Sequence, residues 1–345
     1  MLQIRRHGIL LEKTRNGFEN EAVCNPAVIR EGEFIYVFYR AVRKGNYSSI
    51  GYCKLNSGLN VIERKNKPIL FPEKKYASQG LEDPRIVKIE DLYYLTYSVY
   101  DGINVRGAYA TSKDLKNFKK HKVITPNISF AEYKNLIECC SNLSEKYLAH
   151  YHFFEGHGLH KELSRKLYIW DKNIMFFPKK INGNFALLHR IHPGIQIVYF
   201  KDFRELTTSF WKNYLLRLED HIIMDPEMPH ESNHIGGGCP PIETKDGWLL
   251  IYHSVENTAK GYVYHASAAL LDLRNPKIEL ARLPYPLISP THVWEKKGIV
   301  NNVIFPTGTS IIDDRLLIFY GAADSKIGTA SVNLNDLLTE LKMNM

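Results

Sequence analysis

Residues 246–253 read DGWLLIYH, an Asp-Gly turn followed by five apolar or aromatic residues. Asp-Gly or Asn-Gly before such a run is a strong hairpin signal. Four other segments have a similar form, namely GEFIYVFY at 32–39, EDLYYLTY at 90–97, NGNFALLH at 182–189 and DDRLLIFY at 313–320. Each is followed by a second stretch containing small residues, at 50–55, 107–111, 195–200, 266–271 and 327–332. The chain is therefore predicted to contain five repeated antiparallel units.

The spacing of these units predicts an all-β fold, a five-bladed β-propeller formed by residues 1–345 as a single domain. The apolar runs begin at residues 34, 92, 185, 248 and 316, which gives intervals of 58, 93, 63 and 68 residues. These intervals exceed the roughly 40–50 residues of short blades, as expected for blades with long loops. The longest interval predicts an insertion of about 30 residues between units two and three, within about 119–168. Helical periodicity is expected at 206–218 and in a short C-terminal helix at 334–343.

The composition is typical of a globular protein. Of the 345 residues, 44% are hydrophobic and 24% charged, which excludes a disordered, collagenous or coiled-coil chain. No apolar run approaches the roughly 20 residues of a membrane-spanning helix. Residues 1–7 lack an apolar stretch of signal-peptide length, so we expect a cytoplasmic protein without membrane association. Five cysteines without a CxxC spacing predict reduced thiols rather than a disulfide framework or a zinc ribbon.

The net charge of +8 favours an anionic substrate over nucleic acid. The lysines form short, scattered clusters such as KNFKKHK at 116–122, and no nucleic-acid-binding signature is present. Most of them are interpreted as solvated lysines that maintain solubility. Aromatic residues make up 12% of the chain. Such richness is typical of a β-protein that binds flat sugar rings, although aromatic residues also fill cores.

The densest polar motif is LEDPR at residues 81–85. Asp83 could serve as a general acid if its environment raised its pKa, or accept a sugar hydroxyl if Arg85 held it ionised. Taken alone, the motif favours an Asp-Pro turn with an exposed ion pair.

Polar residues at equivalent ends of the repeated strands favour a functional site over a purely structural turn. Asn25 precedes the first strand, which ends at Arg40, while Arg190 ends the third, His253 the fourth, and the fifth runs into Asp324. Each is a routine strand-end residue by itself. In a propeller, however, equivalent strand ends converge at one end of the central channel. Their coincidence therefore predicts a shared pocket.

The cationic members of this set predict an oxyanion site. Lys172 and Asn173 together with Arg190 and His253 could supply the convergent N–H donors that phosphate needs. The Gly run at 236–238, after His234, adds backbone amides. It matches neither a Walker loop nor a dinucleotide fingerprint, and is interpreted as a turn that allows close backbone approach.

Four segments, at 81–85, 172–190, 234–253 and 301–324, resemble glycoside hydrolase family 130, a family of β-mannoside phosphorylases and some β-mannosidases on a five-bladed propeller. The resemblance implies that Asp83 is the catalytic acid. His234 stands where many phosphorylases of the family have Lys; it can still donate to phosphate, with a charge that depends on its environment. The resemblance further implies Asn25, Arg40 and Asp324 for the sugar, and Lys172, Asn173, Arg190 and His253 for phosphate. Arg85 and Glu231 are also predicted to bind the sugar, and His234 to bind phosphate.

The sequence thus predicts an inverting phosphorylase that cleaves β-mannosides, either manno-oligosaccharides or the mannosyl-glucose type, with inorganic phosphate to α-mannose 1-phosphate. Phosphate is expected as co-substrate, with an oligosaccharide as partner, no cofactor and no metal; homo-oligomerisation is left open. An inverting β-mannosidase remains an alternative, since Glu231 or Glu138 could serve as its base. A non-catalytic glycan-binding propeller is a further alternative. The histidines of HYHFFEGHGLH, at 150, 152, 157 and 160, are expected to be substrate-facing loop residues rather than metal ligands.

Overall fold

The computed structural model describes residues 2–149, 152 and 167–345. Within these residues the chain is predominantly β, with strands arranged as five consecutive antiparallel meanders. The strands of the first three meanders are β2 (Ala22–Glu31), β3 (Phe34–Arg43), β4 (Tyr47–Leu55) and β5 (Val61–Arg64); β6 (Gly80–Ile89), β7 (Leu92–Tyr100), β8 (Val105–Ser112) and β9 (Lys119–Val123); and β10 (Lys172–Phe176), β11 (Phe185–Arg190), β12 (Ile195–Phe200) and β13 (Ile222–Met224).

The last two meanders complete the sheet structure. They comprise β14 (His234–Gly237), β15 (Ile242–Glu243), β16 (Trp248–Thr258), β17 (Gly261–Leu271) and β18 (Glu279–Arg282), then β19 (Ile304–Ile312), β20 (Arg315–Ala322) and β21 (Lys326–Asn333). The first strand of the chain, β1 (Arg5–Leu11), pairs antiparallel with β21 and so joins the fifth meander. The first two meanders are linked by a single parallel bridge between Ser48 and Gly80.

The predicted repeats coincide with these strands. Each quoted apolar run forms the second or central long strand of a meander, namely β3, β7, β11, β16 and β20, and each following stretch lies in the next strand. The predicted helices are also confirmed, as α2 (Thr208–Leu215) and α4 (Leu334–Lys342). Two further helices occur in the described chain, α1 (Phe130–Ile137) and α3 (Val293–Lys296). Residues 119–123, at the start of the range predicted to contain the insertion, form β9 and pair with β8.

The apolar runs form strands because both faces of each strand are buried. In DGWLLIYH, Leu249 and Ile251 pack against the fifth meander, whereas Trp248, Leu250 and Tyr252 pack against the third. Side chains alternate between the two faces of a strand, so a strand between two neighbouring sheets must be apolar throughout. Burying each of these side chains stabilises the fold by roughly 1.5–3 kcal/mol.

The buried clusters of the described residues connect the meanders in sequence. Four clusters lie between the first and second, second and third, third and fourth, and fourth and fifth meanders. A fifth cluster joins the first meander to the fifth, where Val37 and Tyr39 of β3 pack with Leu317 and Phe319 of β20. Every meander therefore packs against two others.

Candidate functional site

A cavity of about 180 Å³ lies where the five meanders meet. All five contribute to its lining, through β2, β3, β6, β10, β11, β14, β16, β17, β19 and the turn after β20. The lining residues are Asn25, Arg40, Glu82, Asp83, Lys172, Asn173, Arg190, His234, His253, Tyr264, Val300, Val303, Phe305 and Asp324.

Three site residues occupy the same kind of β-bulge on the first strand of three different meanders. Asn25, Asp83 and Asn173 have φ of 51°, 50° and 54°, and the strand register slips at each of these positions. Asn and Asp tolerate this left-handed conformation better than other non-glycine residues. A bulge redirects one side chain out of the regular alternation. The repeated bulge therefore places a short polar side chain into the cavity from each of these strands.

Asp83 is surrounded by hydrogen-bond donors and cations. Asn25 Nδ2 donates to Asp83 Oδ1 at 2.6 Å. Burial opposes the charged form, but Arg40, Arg85, the hydrogen bond from Asn25 and Lys172 together lower the pKa of Asp83 below its usual value. Asp83 is therefore a carboxylate at neutral pH when the cavity holds no anion.

Arg40 pairs with Glu82, and its charge also acts on Asp324. Its Nη2 atom lies 2.6 Å from Glu82 Oε1, and both side chains are largely buried. The pKa of Asp324 is raised to about 6, chiefly by burial and also by the charges of Asp83 and Glu82, against the opposing effect of Arg40. Ionised and protonated forms of Asp324 are therefore both accessible near pH 6, so this carboxyl can accept or donate a hydrogen bond to a hydroxyl group.

Lys172 and Arg190 face each other as register partners on β10 and β11. Burial lowers the pKa of both side chains. The adjacent charge of Arg190 lowers the pKa of Lys172 further. Burial also lowers the pKa of His253 well below its usual value, and Arg190, Arg85 and Lys172 lower it further. The concentration of positive charge that disfavours a cationic His253 is the environment that favours a bound anion.

Four buried polar atoms of the cavity have no hydrogen-bond partner among the described residues. They are Asn25 Oδ1, Asn173 Oδ1, Arg190 Nε and His253 Nδ1. Buried polar groups in folded proteins are nearly always paired. All four residues that carry these atoms line the cavity, so the unsatisfied polar groups of this region are concentrated around it.

The glycine run at 236–238 allows other groups to approach the backbone closely, as predicted. A Cβ atom on Gly236 would lie 2.5 Å from His253 Cε1 and 2.8 Å from Arg190 Cδ. A side chain at Gly236 would therefore displace both groups from the cavity.

A buried network beneath the cavity orients Arg190. Asp171 Oδ1 accepts a hydrogen bond from the Arg190 backbone N at 3.3 Å, and Asp171 Oδ2 lies 2.8 Å from His189 Nδ1. His189 Nε2 lies 2.8 Å from the Tyr214 hydroxyl, which donates to the carbonyl of Ile197. Because Asp171 directly precedes Lys172 and His189 directly precedes Arg190, this network fixes the backbone at both cations.

The structure brings nine of the eleven predicted site residues to the cavity lining, including Asp83 together with Arg190 and His253. Arg85 lies outside this lining, almost fully buried, and donates to the backbone carbonyls of Asp83 and Gly238 at 2.6 and 2.9 Å. It therefore holds the bulge at Asp83 in place, and the predicted contact with substrate is not supported.

The prediction for Glu231 also needs correction. Its carboxylate is fully buried and accepts hydrogen bonds from Arg282 Nη1 at 2.9 Å and the Tyr252 hydroxyl at 2.6 Å. Backbone amides of Glu227 and Met228 complete its shell. The carboxylate of Glu231 thus has its hydrogen bonds satisfied within the protein, and it lies outside the cavity lining. We therefore interpret it as a structural carboxylate. Glu138, the other candidate base, is exposed at the C-terminal end of α1 and also lies outside the lining.

Some lining residues were missed by the sequence analysis. Glu82 stands in the LEDPR motif, but nothing in the motif distinguishes its role from that of Asp83. Tyr264 and Phe305 lie within apolar strands, where an aromatic residue is expected in the core. The ring of Phe305 packs 4.5 Å from that of His253, measured between centroids, so these residues form an apolar wall beside the polar groups.

Other predictions concern regions away from the cavity. His150, His157 and His160 lie outside the described residues. In residues 2–149, 152 and 167–345, no cluster of three or more His, Cys, Asp or Glu side chains could hold a metal ion. Over the same residues, every helix is too short or too polar to cross a bilayer. All five cysteines are free thiols.

Comparisons with known proteins identify the family. The family model for glycoside hydrolase family 130, described as beta-1,4-mannooligosaccharide phosphorylase, matches residues 4–166 and 158–343. The chain is 32% identical to a 1,2-beta-oligomannan phosphorylase of Thermoanaerobacter sp. (strain X514), covering 95% of this chain and 96% of that protein. It is 35% identical to a beta-1,2-mannobiose phosphorylase of the same organism, covering 91% of each. The solved structure of the beta-1,2-mannobiose phosphorylase from Listeria innocua superposes with a TM-score of 0.72 at 23% identity, covering 99% of this chain and 100% of that one. The chain therefore belongs to glycoside hydrolase family 130.

Proposed function

We propose that the protein is an inverting phosphorylase that cleaves β-mannosides with inorganic phosphate and releases α-mannose 1-phosphate. The observation that carries the proposal is a single cavity lined both by Asp83 and by the cations Lys172 and Arg190. Family membership and the names of the relatives support the same reaction.

The phosphate is held by the cationic groups of the cavity. Lys172 and Arg190 supply charge, neutral His253 adds hydrogen-bonding capacity, and His234 and Asn173 border the same space. Charge-assisted hydrogen bonds of this kind are short and strong. They fix one phosphate oxygen for attack on C1 of the mannosyl unit, and the configuration at C1 inverts.

The mannosyl unit is held by the remaining polar groups. Asn25, Arg40 and Asp324 line the cavity and bind hydroxyl groups of the sugar. Phe305 and Tyr264 provide an apolar wall for the face of the ring.

Asp83 protonates the departing glycosidic oxygen, directly or through a sugar hydroxyl. In the ligand-free cavity its pKa is lowered, with Arg40, Arg85 and Lys172 as the cationic causes. A phosphate bound beside Lys172 adds negative charge and offsets that cation, which raises the pKa of Asp83. Phosphate binding thus favours the protonated carboxyl that the reaction requires.

The composition of the cavity favours phosphorolysis over hydrolysis. Inverting hydrolysis requires a second carboxylate that activates water. The two predicted bases, Glu231 and Glu138, lie outside the cavity lining, and Glu82 is paired with Arg40. The remaining carboxyl of the lining, Asp324, has a pKa raised to about 6 and is assigned to a sugar hydroxyl. Phosphate is itself a nucleophile, so a cation-lined pocket suffices. A purely glycan-binding protein would need no such cations.

The finer features of the proposal are the fold and the linkage. Five meanders, each packed against two others, support a five-bladed β-propeller formed as one domain. A β-1,2-mannosidic linkage is the proposed substrate, since the two Thermoanaerobacter relatives described above, each aligned over nine-tenths of the chain, are named for it. Phosphate as the sole co-reactant, a cytoplasmic location and any self-association stay predictions.

The test is to incubate the protein with β-1,2- and β-1,4-mannobiose, with and without inorganic phosphate. Mannose 1-phosphate formed only with phosphate, and faster from the β-1,2-linked disaccharide, is the expected result. Release of free mannose in phosphate-free buffer would show that the enzyme is a hydrolase and not a phosphorylase. Faster cleavage of the β-1,4-linked disaccharide would contradict the proposed β-1,2 linkage.

A further inference from the structure

A second cavity, of about 310 Å³, lies beside the candidate site and has no role in the reaction as proposed. It is formed by the loop before β2, the β3–β4 hairpin and the long connection from β5 to β6. Its lining residues are Phe18, Arg43, Tyr47, Ser48, Ser49, Pro68, Phe71, Pro72 and Ser78. This volume is within the range of small-molecule sites.

Two aromatic rings of this cavity are exposed although they line a concave surface. Phe71 is 52% exposed and Tyr47 37% exposed. The guanidinium carbon of Arg43 lies 4.6 Å from the centroid of the Tyr47 ring, and Lys120 Nζ lies 4.8 Å from that of Phe71. Lys120 also donates to the Phe71 carbonyl at 3.0 Å. Both rings are therefore held in place by cations, with part of each surface available to a ligand.

The second cavity shares a wall with the candidate site. Ser48 lines the cavity, and its Oγ accepts a hydrogen bond from Arg40 Nε at 2.8 Å. Arg40 in turn lines the candidate site and pairs with Glu82. Ser48 also packs closely on Gly80, where a Cβ atom would lie 2.8 Å from the Ser48 Cβ. The Arg40–Ser48 contact thus joins the linings of the two cavities.

The chemistry of the lining fits an uncharged polyhydroxy ligand. Three serines offer hydroxyl groups that donate and accept, and three aromatic rings offer faces whose negative charge attracts the C–H groups of a sugar ring. The lining contains no carboxylate, and its one cation, Arg43, is stacked on Tyr47. An anionic ligand would find a single, already engaged charge here, in contrast to the candidate site.

We propose that this cavity binds distal mannosyl units of an oligosaccharide whose terminal unit occupies the candidate site. The inference rests on the proposed function and assigns the enzyme a preference for chains longer than a disaccharide. Phe71 and Tyr47 are the stacking residues, and Arg40 lies between the two groups of bound sugars.

The test compares β-1,2-mannotetraose with β-1,2-mannobiose as substrates of wild type, F71A and Y47A. Loss of one stacking ring lowers the kcat/KM ratio of tetrasaccharide to disaccharide by about tenfold, since a stacked pair contributes up to about 1.5 kcal/mol. I62A is the matched control, because Ile62 of β5 is 50% exposed in the same meander but lies outside the cavity lining. It retains the wild-type ratio. An unchanged ratio in both F71A and Y47A overturns the proposal.

A binding measurement separates this inference from the proposed function. Calorimetric titration of the protein with mannotetraose in phosphate-free buffer requires no turnover. F71A is expected to bind the tetrasaccharide about tenfold more weakly than I62A. If wild type releases no mannose 1-phosphate, the proposed function fails; equal tetrasaccharide affinities of F71A and I62A would instead refute the second sugar site.

Discussion

Replacing Asp83 by asparagine removes the proposed proton donor while preserving the shape of the site. The amide oxygen of the new residue can still accept the hydrogen bond that Asn25 Nδ2 makes to Asp83 Oδ1 at 2.6 Å. The bulge is retained, because Asn adopts the left-handed conformation as readily as Asp, and Arg85 binds the backbone carbonyl rather than the carboxylate. We therefore expect D83N to fold normally.

The magnitude follows from the two roles of the carboxylate. A positioned general acid contributes typically about 10²–10⁴-fold, so kcat should fall by that factor. Loss of a negative charge near Lys172 leaves that cation less neutralised, so the KM for phosphate should stay constant or decrease. A substrate with an acidic leaving group, such as a nitrophenyl β-mannoside, needs less protonation and should show a smaller defect.

The assay is the initial rate of mannose 1-phosphate release over a series of phosphate concentrations. E82Q serves as the comparison, since it also removes a carboxylate of the cavity. This variant breaks the ion pair with Arg40, and we expect it mainly to raise the KM for the sugar. A decrease in kcat of less than tenfold for D83N, or equal defects with mannobiose and the nitrophenyl substrate, would refute the role of Asp83 as acid.

Three further predictions concern charge. R190A should raise the KM for phosphate about 10–100-fold, since it removes a charge-assisted hydrogen bond; rates measured over a phosphate series check this, and an unchanged KM contradicts it. D324N should raise the melting temperature at pH 7.5, because the pKa of Asp324, raised to about 6 by burial, makes its ionised form costly. That gain should shrink as the pH falls from 6 towards 4, where the wild-type carboxyl is protonated; a pH-independent difference in calorimetry argues against it. R282A should lower the free energy of unfolding by about 3–5 kcal/mol, because it leaves the buried Glu231 without its cation; urea unfolding gives the value, and a loss below about 1 kcal/mol would not fit a buried ion pair.

The sequence predicts the strands of this fold because their physical requirement is local. An Asp-Gly turn before WLLIYH is typical of a hairpin strand, and the unbroken apolar run indicates burial on both faces. The strand β9 is less predictable, since KKHKV at 119–123 is charged and pairs only with β8 at the edge of its sheet. An edge strand lacks the apolar alternation that marks an inner one.

The site was predictable where strand ends carry unusual residues. Asn25 and Asp83 each precede a proline within an apolar strand, which strands rarely tolerate away from bulges. Glu231 was misassigned because its partner, Arg282, is distant in sequence, and only the folded chain shows that the charge is already satisfied. The second cavity escaped notice for a similar reason, since Tyr47 and Phe71 come from different loops.

The pairing of β1 with β21 has a consequence during protein synthesis. The ribosome makes β1 first, yet its hydrogen-bonding partner emerges only with the last strand. Until then the edge of β1 stays unpaired, and a chain terminated before residue 326 never completes the fifth sheet. Such edges are templates for aggregation and are open to proteases. Full-length synthesis is thus the condition under which the first strand is protected.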